Sequence, residues 1–196
     1  MAFLPSPWSY FLSHHVIMNE DSIYSNYERI KRMRRRDREV TDMQEILHIL
    51  DTAMVVHLGL VEDGMPYVVP MNYGYCFEDG KLIFYMHGAL EGRKLEVIRK
   101  NPACCAQLDC DGMLLPGKLP CQYGYSSYSL MGFGKASIVT DVSEKEKALT
   151  LLMKTVSGKD FEFNEKLVSI VSVIKVVCDS YTAKHRPVDL STLNVT

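Results

Sequence analysis

The stretch AMVVHLGLVEDGMPYVVPMNYGYCFEDGKLIFYMH, residues 53–87, predicts a series of antiparallel strands. Three runs rich in β-branched and aromatic residues, at 53–61, 66–77 and 81–87, are separated by Glu-Asp-Gly triplets at 62–64 and 78–80. An Asp-Gly pair between such runs is a signal for a tight hairpin turn. We therefore expect a β-meander at the centre of the fold.

The flanking segments predict three more strands and three helices. Capping-box patterns at Thr41-x-x-Gln44 and Ser143-x-x-Glu146 each precede residues with helical apolar spacing, and a third helix is expected over 91–100. The further strands are expected at 103–109, 125–141 and 167–185, with a long loop over 110–124. Two glycines within 125–141 predict a bulge or a close backbone approach in that strand.

Six antiparallel strands with helices around them predict a mainly β protein. A closed or nearly closed barrel is expected, because closure removes the edges that so many apolar strands would expose. We expect a single domain over residues 31–196. Residues 1–30 are expected to form a loosely ordered extension or docking arm, since they carry two prolines and lack the cationic start of a signal peptide.

Composition excludes several classes of protein. The 196 residues carry a formal net charge of −2, which argues against a dedicated nucleic-acid binder, and the basic run over 31–38 is interpreted as a solvated segment. No apolar run is long enough for a membrane span. The six cysteines include no Cys-x-x-Cys pair, so we expect no metal site and a reduced, cytoplasmic protein.

The sequence FYMHGALEGRKLEVIRKNP, residues 84–102, places cations where a strand passes into a helix. Gly88 and Gly92 permit close backbone approach, and Arg93 and Lys94 fall in the first helical turn, where the helix dipole favours anions. Backbone N–H groups and both cations would converge on a phosphate there. The alternative, weighted equally from spacing alone, is that Glu91 offsets two ordinary surface charges.

A second candidate segment is PMNYGY, residues 70–75. Pro70 cannot donate a ladder hydrogen bond, so it predicts a strand edge or a bulge. Asn72 stands among apolar residues, and a buried amide needs partners, which the edge of a heterocycle or the backbone would supply. His87 directly precedes the glycine corner and is a candidate catalytic residue.

These segments together resemble a known family. MRRRDREV, YVVPMNYGY, FYMHGALEGRKLEVIRKNP and YSLMGFGKASIV, in this order over residues 31–186, are similar to the FMN-binding split barrels of the pyridoxamine 5'-phosphate oxidase type, and among them to the 5-nitroimidazole-resistance flavoproteins. The resemblance implies a six-stranded antiparallel split barrel that forms a homodimer, with a flavin at the interface between the subunits.

The resemblance also assigns site residues. It implies that Arg93 and Lys94 hold the flavin phosphate and that the strand around 129–132 flanks the cleft or comes from the other subunit. The complete set of cofactor-binding residues implied is Pro70, Met71, Asn72, Tyr73, Met86, His87, Gly88, Ala89, Gly92, Arg93, Lys94, Ser129, Leu130 and Gly132.

The expected function is FMN-dependent reduction of nitro-heterocycles or similar small planar acceptors, with FAD as the alternative cofactor. The competing hypothesis is a flavin- or haem-binding module, a sensor or storage protein without turnover, because the sequence shows no identifiable acid–base pair or nicotinamide-nucleotide fingerprint. A nucleic-acid contact through the basic run is a weaker third hypothesis. We expect no nucleic-acid or membrane partner.

Overall fold

The computed structural model describes residues 33–188. The predicted extension over 1–30 lies outside this range, as do Lys31 and Arg32 of the basic run. The described elements are β1 Glu39–Val40, α1 Met43–Thr52, β2 Val56–Glu62, β3 Met65–Met71, β4 Gly74–Glu78, β5 Lys81–Gly88, α2 Arg93–Lys100, β6 Ala103–Leu115, β7 Gly124–Val139, α3 Val142–Ser157, α4 Glu165–Val168 and β8 Ser172–His185.

All eight strands belong to one antiparallel sheet. Its order is β3-β2-β6-β7-β8-β5-β4, and the short β1 pairs with β8. The prediction of a mainly β, antiparallel fold with peripheral helices is confirmed. The sheet is not closed, because β3 and β4 are its two edges although they follow each other in the chain.

The predicted strand over 66–77 is two strands, which is one reason why eight strands replace the expected six. Residues 65–71 pair with β2, whereas residues 74–78 pair with β5. Tyr73 lies at the break, fully buried, and its hydroxyl donates to the carbonyls of Leu50 (2.7 Å) and Ala53 (2.8 Å). The two strands therefore part where this side chain enters the core under α1. Pro70 lies on the edge strand β3, as its missing N–H predicted.

The other strand predictions differ at their ends. The expected loop over 110–124 is shorter than predicted and spans 116–123, because β6 continues to Leu115 past a left-handed Asp111 (φ 54°) and an irregular register. Residues 167–168 lie in α4, whose N-cap Asn164 accepts a hydrogen bond from Leu167 N–H, and β8 begins only at Ser172. The predicted irregularity in β7 is confirmed, since its register with β8 shifts between Phe133 and Gly134.

Both predicted capping boxes are wrong, although both helices exist. Asp42 caps α1 by accepting hydrogen bonds from the N–H groups of Gln44 and Glu45 at 2.8 and 3.2 Å. Asp141 caps α3 in the same way, at 2.8 Å from Glu144 N. Each aspartate precedes its helix directly, and its charge also interacts favourably with the helix dipole.

The apolar residues form two clusters. The larger fills the inside of the sheet beneath α1 and α2, with Ile49, Leu58, Phe84 and Leu130 among its fully buried members. The smaller joins α3 and α4 to β5 and β8 through residues that include Ala148, Leu149, Val168 and Val173. Within residues 33–188, no helix is long and apolar enough to cross a membrane.

Candidate functional site

The corner between β5 and α2 lies at an uncapped helix start. β5 ends at Gly88, and Gly92 is the N-cap of α2 with φ 138°, a conformation that side chains rarely adopt. The N–H groups of Leu95 and Glu96 donate to the Gly92 carbonyl, but Gly92 has no side chain to satisfy the N–H groups of Arg93 and Lys94, which have no intrahelical acceptor. This is the local geometry that favours an anion.

Lys94 lies against Gly88. A Cβ atom built on Gly88 would be 2.9 Å from Lys94 Cε and 3.2 Å from Nζ, so the absence of a side chain at Gly88 makes room for the ammonium group. Lys94 is half-buried, and within residues 33–188 no carboxylate forms an ion pair with it. Its charge is therefore available to an anion at the corner.

Arg93 differs from its neighbour because it already has protein partners. Its Nε donates to Glu62 Oε2 at 2.8 Å, its Nη2 lies 2.8 Å from the same oxygen, and its guanidinium lies 4.3 Å from the centre of the Tyr67 ring. The carboxylate offsets part of the charge that Arg93 would offer. The two cations that the sequence treats as equivalent are thus electrostatically different.

Tyr67 connects the corner to the second predicted segment. Tyr67 and Met71 lie on the same side of β3, both half-buried against the main core. Glu62 and Tyr67 were not predicted as site residues. In the sequence, Glu62 is part of a Glu-Asp-Gly triplet that indicates only a turn. Its ion pair with Arg93 could not be predicted, because 31 residues separate the two and no local pattern connects them.

Asn72 is exposed, so the prediction of a buried amide is wrong. Its Nδ2 donates to Met54 O at 3.1 Å, which is the backbone partner offered as the alternative. It lies in the connection between β3 and β4, which are the two edge strands of the sheet. Its side-chain oxygen accepts no hydrogen bond within the described residues.

Three predicted contact residues are core residues. Tyr73, Met86 and Leu130 have no exposed surface in the single chain and pack within the main core. Gly132 is also buried, and a Cβ there would lie 2.6 Å from Cys178 Sγ.

His87 and Ala89 flank the corner and are exposed. His87 pairs with Val173 in the ladder between β5 and β8. Within the described part of the chain, no side-chain hydrogen bond holds the imidazole in one orientation. The structure thus places His87 beside the corner without the second group that usually orients a catalytic histidine.

Ser129, Leu130 and Gly132 are out of register with the corner of their own chain. Gly88 pairs with Ser172 of β8, whereas Ser129 pairs with Lys184, and the intervening strand is about 40 Å long at 3.3 Å per residue. The same β7 segment lies level with Pro70, because Met131, Gln107, His57 and Pro70 form one register row. Pro70 and the β7 segment therefore lie level on one sheet with β2 and β6 between them, and the corner is not part of that row.

Comparison with known proteins identifies the family. The family model for pyridoxamine 5'-phosphate oxidase matches residues 42–185, so the chain belongs to the pyridoxamine 5'-phosphate oxidase family. Among solved structures, a candidate 5-nitroimidazole antibiotic resistance protein from Bacteroides thetaiotaomicron is similar, with 32% identity and a TM-score of 0.64 over 75% of this chain and 86% of that chain. No curated protein sequence matches the chain significantly.

More distant relatives share the fold. The flavocytochrome Anf3 from Azotobacter vinelandii is 19% identical, with a TM-score of 0.66 over 82% of this chain and 74% of that chain. The FAD and heme binding protein from Mycobacterium smegmatis is 16% identical, with a TM-score of 0.64 over 76% of this chain and 73% of that chain. These similarities confirm the predicted split-barrel fold.

Proposed function

We propose that this protein binds a flavin, with its phosphate at the corner between β5 and α2, and reduces nitro-heterocycles or similar small planar acceptors. The observation that carries the proposal is the ammonium group of Lys94, which lies beside Gly88 at an uncapped helix start and has no carboxylate partner among residues 33–188. A dianionic phosphate matches this set of donors better than a neutral ligand does.

The relatives support the same class of cofactor. Two solved structures of this fold are described as binding FAD, and one of these also binds haem. The relative with 32% identity is connected with 5-nitroimidazole resistance, which supports a nitro-heterocycle as the acceptor. FMN is the proposed cofactor because the corner offers one compact anion site, and FAD is the alternative.

The chain's own residues would bind and orient the cofactor. Lys94 and the first N–H groups of α2 would hold the phosphate, while the backbone of β3 at Pro70 and Met71 would lie along the flat ring system. The flavin, when bound, supplies the hydride chemistry that no described side chain provides. Arg93 would position Tyr67 and Glu62 and reduce the repulsion between that carboxylate and the phosphate.

We further propose that the cleft is completed by a second copy of the chain. The outer face of the sheet formed by β3, β2, β6 and β7 carries apolar side chains that include Val68, which is 58% exposed, and Met131, which is 37% exposed. Because this segment of β7 is out of register with the corner of its own chain, a dimer is the arrangement in which its accessible side, at Ser129 and Met131, would contact a flavin.

A visible absorption spectrum of the purified protein tests flavin binding, and mass spectrometry of the released ligand distinguishes FMN from FAD. We then expect the reduced holoprotein to be reoxidised by a 5-nitroimidazole in the absence of oxygen. Protein that shows no flavin absorbance and binds neither added FMN nor added FAD would refute the proposal.

The second candidate function is a flavin- or haem-binding module without turnover. It is favoured by the absence, among the described residues, of a hydrogen bond that orients His87. Flavin that binds but is reoxidised neither by nitro-compounds nor by quinones would support this function and would exclude the reductase.

A further inference from the structure

We infer that His48, Cys110 and Asp111 form a zinc-binding site on the side of the sheet that faces α1. Their ligand atoms, one imidazole nitrogen, one thiol sulfur and one carboxylate oxygen, all lie within 4.8 Å of one another. His48 is on α1, and the other two residues are on β6. This inference is independent of the proposed flavin chemistry.

The chemistry of the three donors fits Zn²⁺. Zinc is bound in proteins by cysteine sulfur, histidine nitrogen and carboxylate oxygen, in tetrahedral geometry. A thiolate and a carboxylate together carry two negative charges, which balance the charge of the ion. Three protein ligands leave one tetrahedral position, and His48 and Asp111 are half-exposed, so water can occupy that position.

The distances require only a small adjustment. His48 Nε2 lies 2.5 Å from Asp111 Oδ2, a direct contact between the two ligand atoms. Around a tetrahedral zinc the same atoms would be separated by about 3.3 Å, and each would be about 3.6 Å from the sulfur, given bond lengths of about 2.0–2.3 Å. Side-chain rotation at the surface supplies changes of this size, because neither side chain is enclosed.

The surroundings hold His48 with Nε2 directed at the site. Its other ring nitrogen, Nδ1, lies 3.4 Å from Thr52 Oγ1, and its ring makes an edge contact with Tyr128 at 5.5 Å between centroids. Tyr128 is itself stacked on His185 and donates to Glu45 Oε1 at 3.0 Å. A metal-binding histidine is normally oriented in this way through its second nitrogen.

The backbone of β6 presents the other two donors. Cys110 pairs with Tyr128, and the register then shifts before Met113. Asp111 takes the left-handed conformation at this irregularity, with φ 54°. In a regular strand two successive side chains point to opposite faces, so the irregular backbone is what places both side chains beside His48.

The test is zinc binding by the full-length protein after treatment with a chelator. We expect zinc bound in competition with a chromophoric chelator, and Co²⁺ in its place is expected to give a thiolate-to-metal charge-transfer band. The variants His48→Gln, Cys110→Ser and Asp111→Asn should each weaken zinc binding at least about 100-fold, because loss of even an indirect partner of a ligand costs 10–100-fold. Asn tolerates the left-handed backbone, so Asp111→Asn keeps the local conformation.

Matched controls remove the same residue types elsewhere. His57→Gln, Cys121→Ser and Asp79→Asn alter exposed residues that are not in the cluster and should leave zinc affinity unchanged. Asp79 matches Asp111 because it too has a left-handed backbone, with φ 50°. A zinc-dependent rise in melting temperature should occur in the wild type and the controls and be lost in the cluster variants. The inference is overturned if no zinc binds, if the cluster variants bind zinc like the wild type, or if the cobalt band persists in Cys110→Ser.

Discussion

Lys94 and Arg93 are adjacent in the sequence, yet within residues 33–188 Arg93 is paired with Glu62 whereas Lys94 has no carboxylate partner. We predict that Lys94→Ala lowers the affinity for FMN about 10–100-fold, since a hydrogen bond to a charged group contributes about 1.5–3 kcal/mol and 1.4 kcal/mol is a factor of ten. The affinity for riboflavin, which lacks the phosphate, should not change. Fluorescence titration of the apoprotein with each ligand measures the difference.

Variants of the two neighbouring residues, Glu62 and Arg93, provide the controls for this prediction. Glu62→Gln should raise FMN affinity, because it removes a negative charge near the phosphate and frees the guanidinium. Arg93→Ala combined with Lys94→Ala should weaken FMN binding far more than it lowers the melting temperature of the apoprotein. An equal loss of riboflavin binding in Lys94→Ala, or a large drop in the melting temperature of the double variant, would contradict the anion site.

The cysteines also differ from one another. Burial raises the pKa of the Cys178 thiol, and likewise that of Cys104, to about 12. Thiol reagents at pH 8 should therefore modify the exposed Cys121 first and leave Cys104 and Cys178 unreacted, which peptide mass spectrometry can determine. Rapid modification of Cys178 in the folded protein would show that the β7–β8 region opens readily.

The same two pKa values predict how stability depends on pH. In the unfolded chain a thiol loses its proton near pH 8.5, whereas these buried thiols remain protonated until about pH 12. Because the folded pKa is raised, the stabilising contribution is complete below pH 8 and is lost as the pH rises from about 9 towards 12. Urea unfolding at pH 7, 9 and 10, compared with Cys178→Ala, measures this loss.

At the scale of elements, the contact between α3 and β4 depends on one glycine. A Cβ on Gly74 would lie 2.3 Å from Leu152 N and 2.4 Å from Leu151 C, both backbone atoms that a rotamer change cannot move. Gly74→Ala should therefore destabilise the protein by about 1–3 kcal/mol or more, the usual range for overpacking. Thermal and urea unfolding measure the effect.

Gly59→Ala is the matched control for this element. A Cβ there would meet Cys105 O at 3.4 Å, an ordinary contact distance, so we expect a much smaller change in the free energy of unfolding. Equal stability of the Gly74→Ala variant and the wild type would show that α3 lies further from β4 than described.

At the scale of the whole molecule, the proposed dimer makes a prediction about one sheet face. Val68→Asp places a charge on the exposed outer face of β3 and should convert a dimer to a monomer, because a second copy would have to bury an unpaired carboxylate. Light scattering after size exclusion measures the mass. FMN affinity should fall with the loss of the dimer, since the cleft would lose the segment of the partner.

The control for the dimer removes an equally exposed apolar residue elsewhere. Ile170 is 67% exposed and follows α4, away from the outer face, so Ile170→Asp should leave the mass unchanged. A wild-type protein that is monomeric at micromolar concentration would contradict the dimer without affecting the anion site of the single chain.

The sequence by itself determined the mainly β antiparallel fold, the positions of the three long helices and the strand-to-helix corner at Gly88–Lys94. These features are local, because periodicity, Asp-Gly turns and a helix that ends at Asn101-Pro102 are set by neighbouring residues. The resemblance in the motifs also identified the family that the comparisons show. The position of Pro70 on an edge strand was also predictable from one residue, because proline has no N–H to donate to a neighbouring strand.

The tertiary structure decided which residues meet across long separations. The division of 66–77 into two strands follows from the burial of Tyr73 under α1, and the pairing of Arg93 with Glu62 follows from the packing of α2 near the end of β2. Packing between elements distant in the sequence also determines the exposure of Asn72 and the cluster of His48 with Cys110 and Asp111. Such contacts depend on sheet register and helix placement, which no short segment of the sequence encodes.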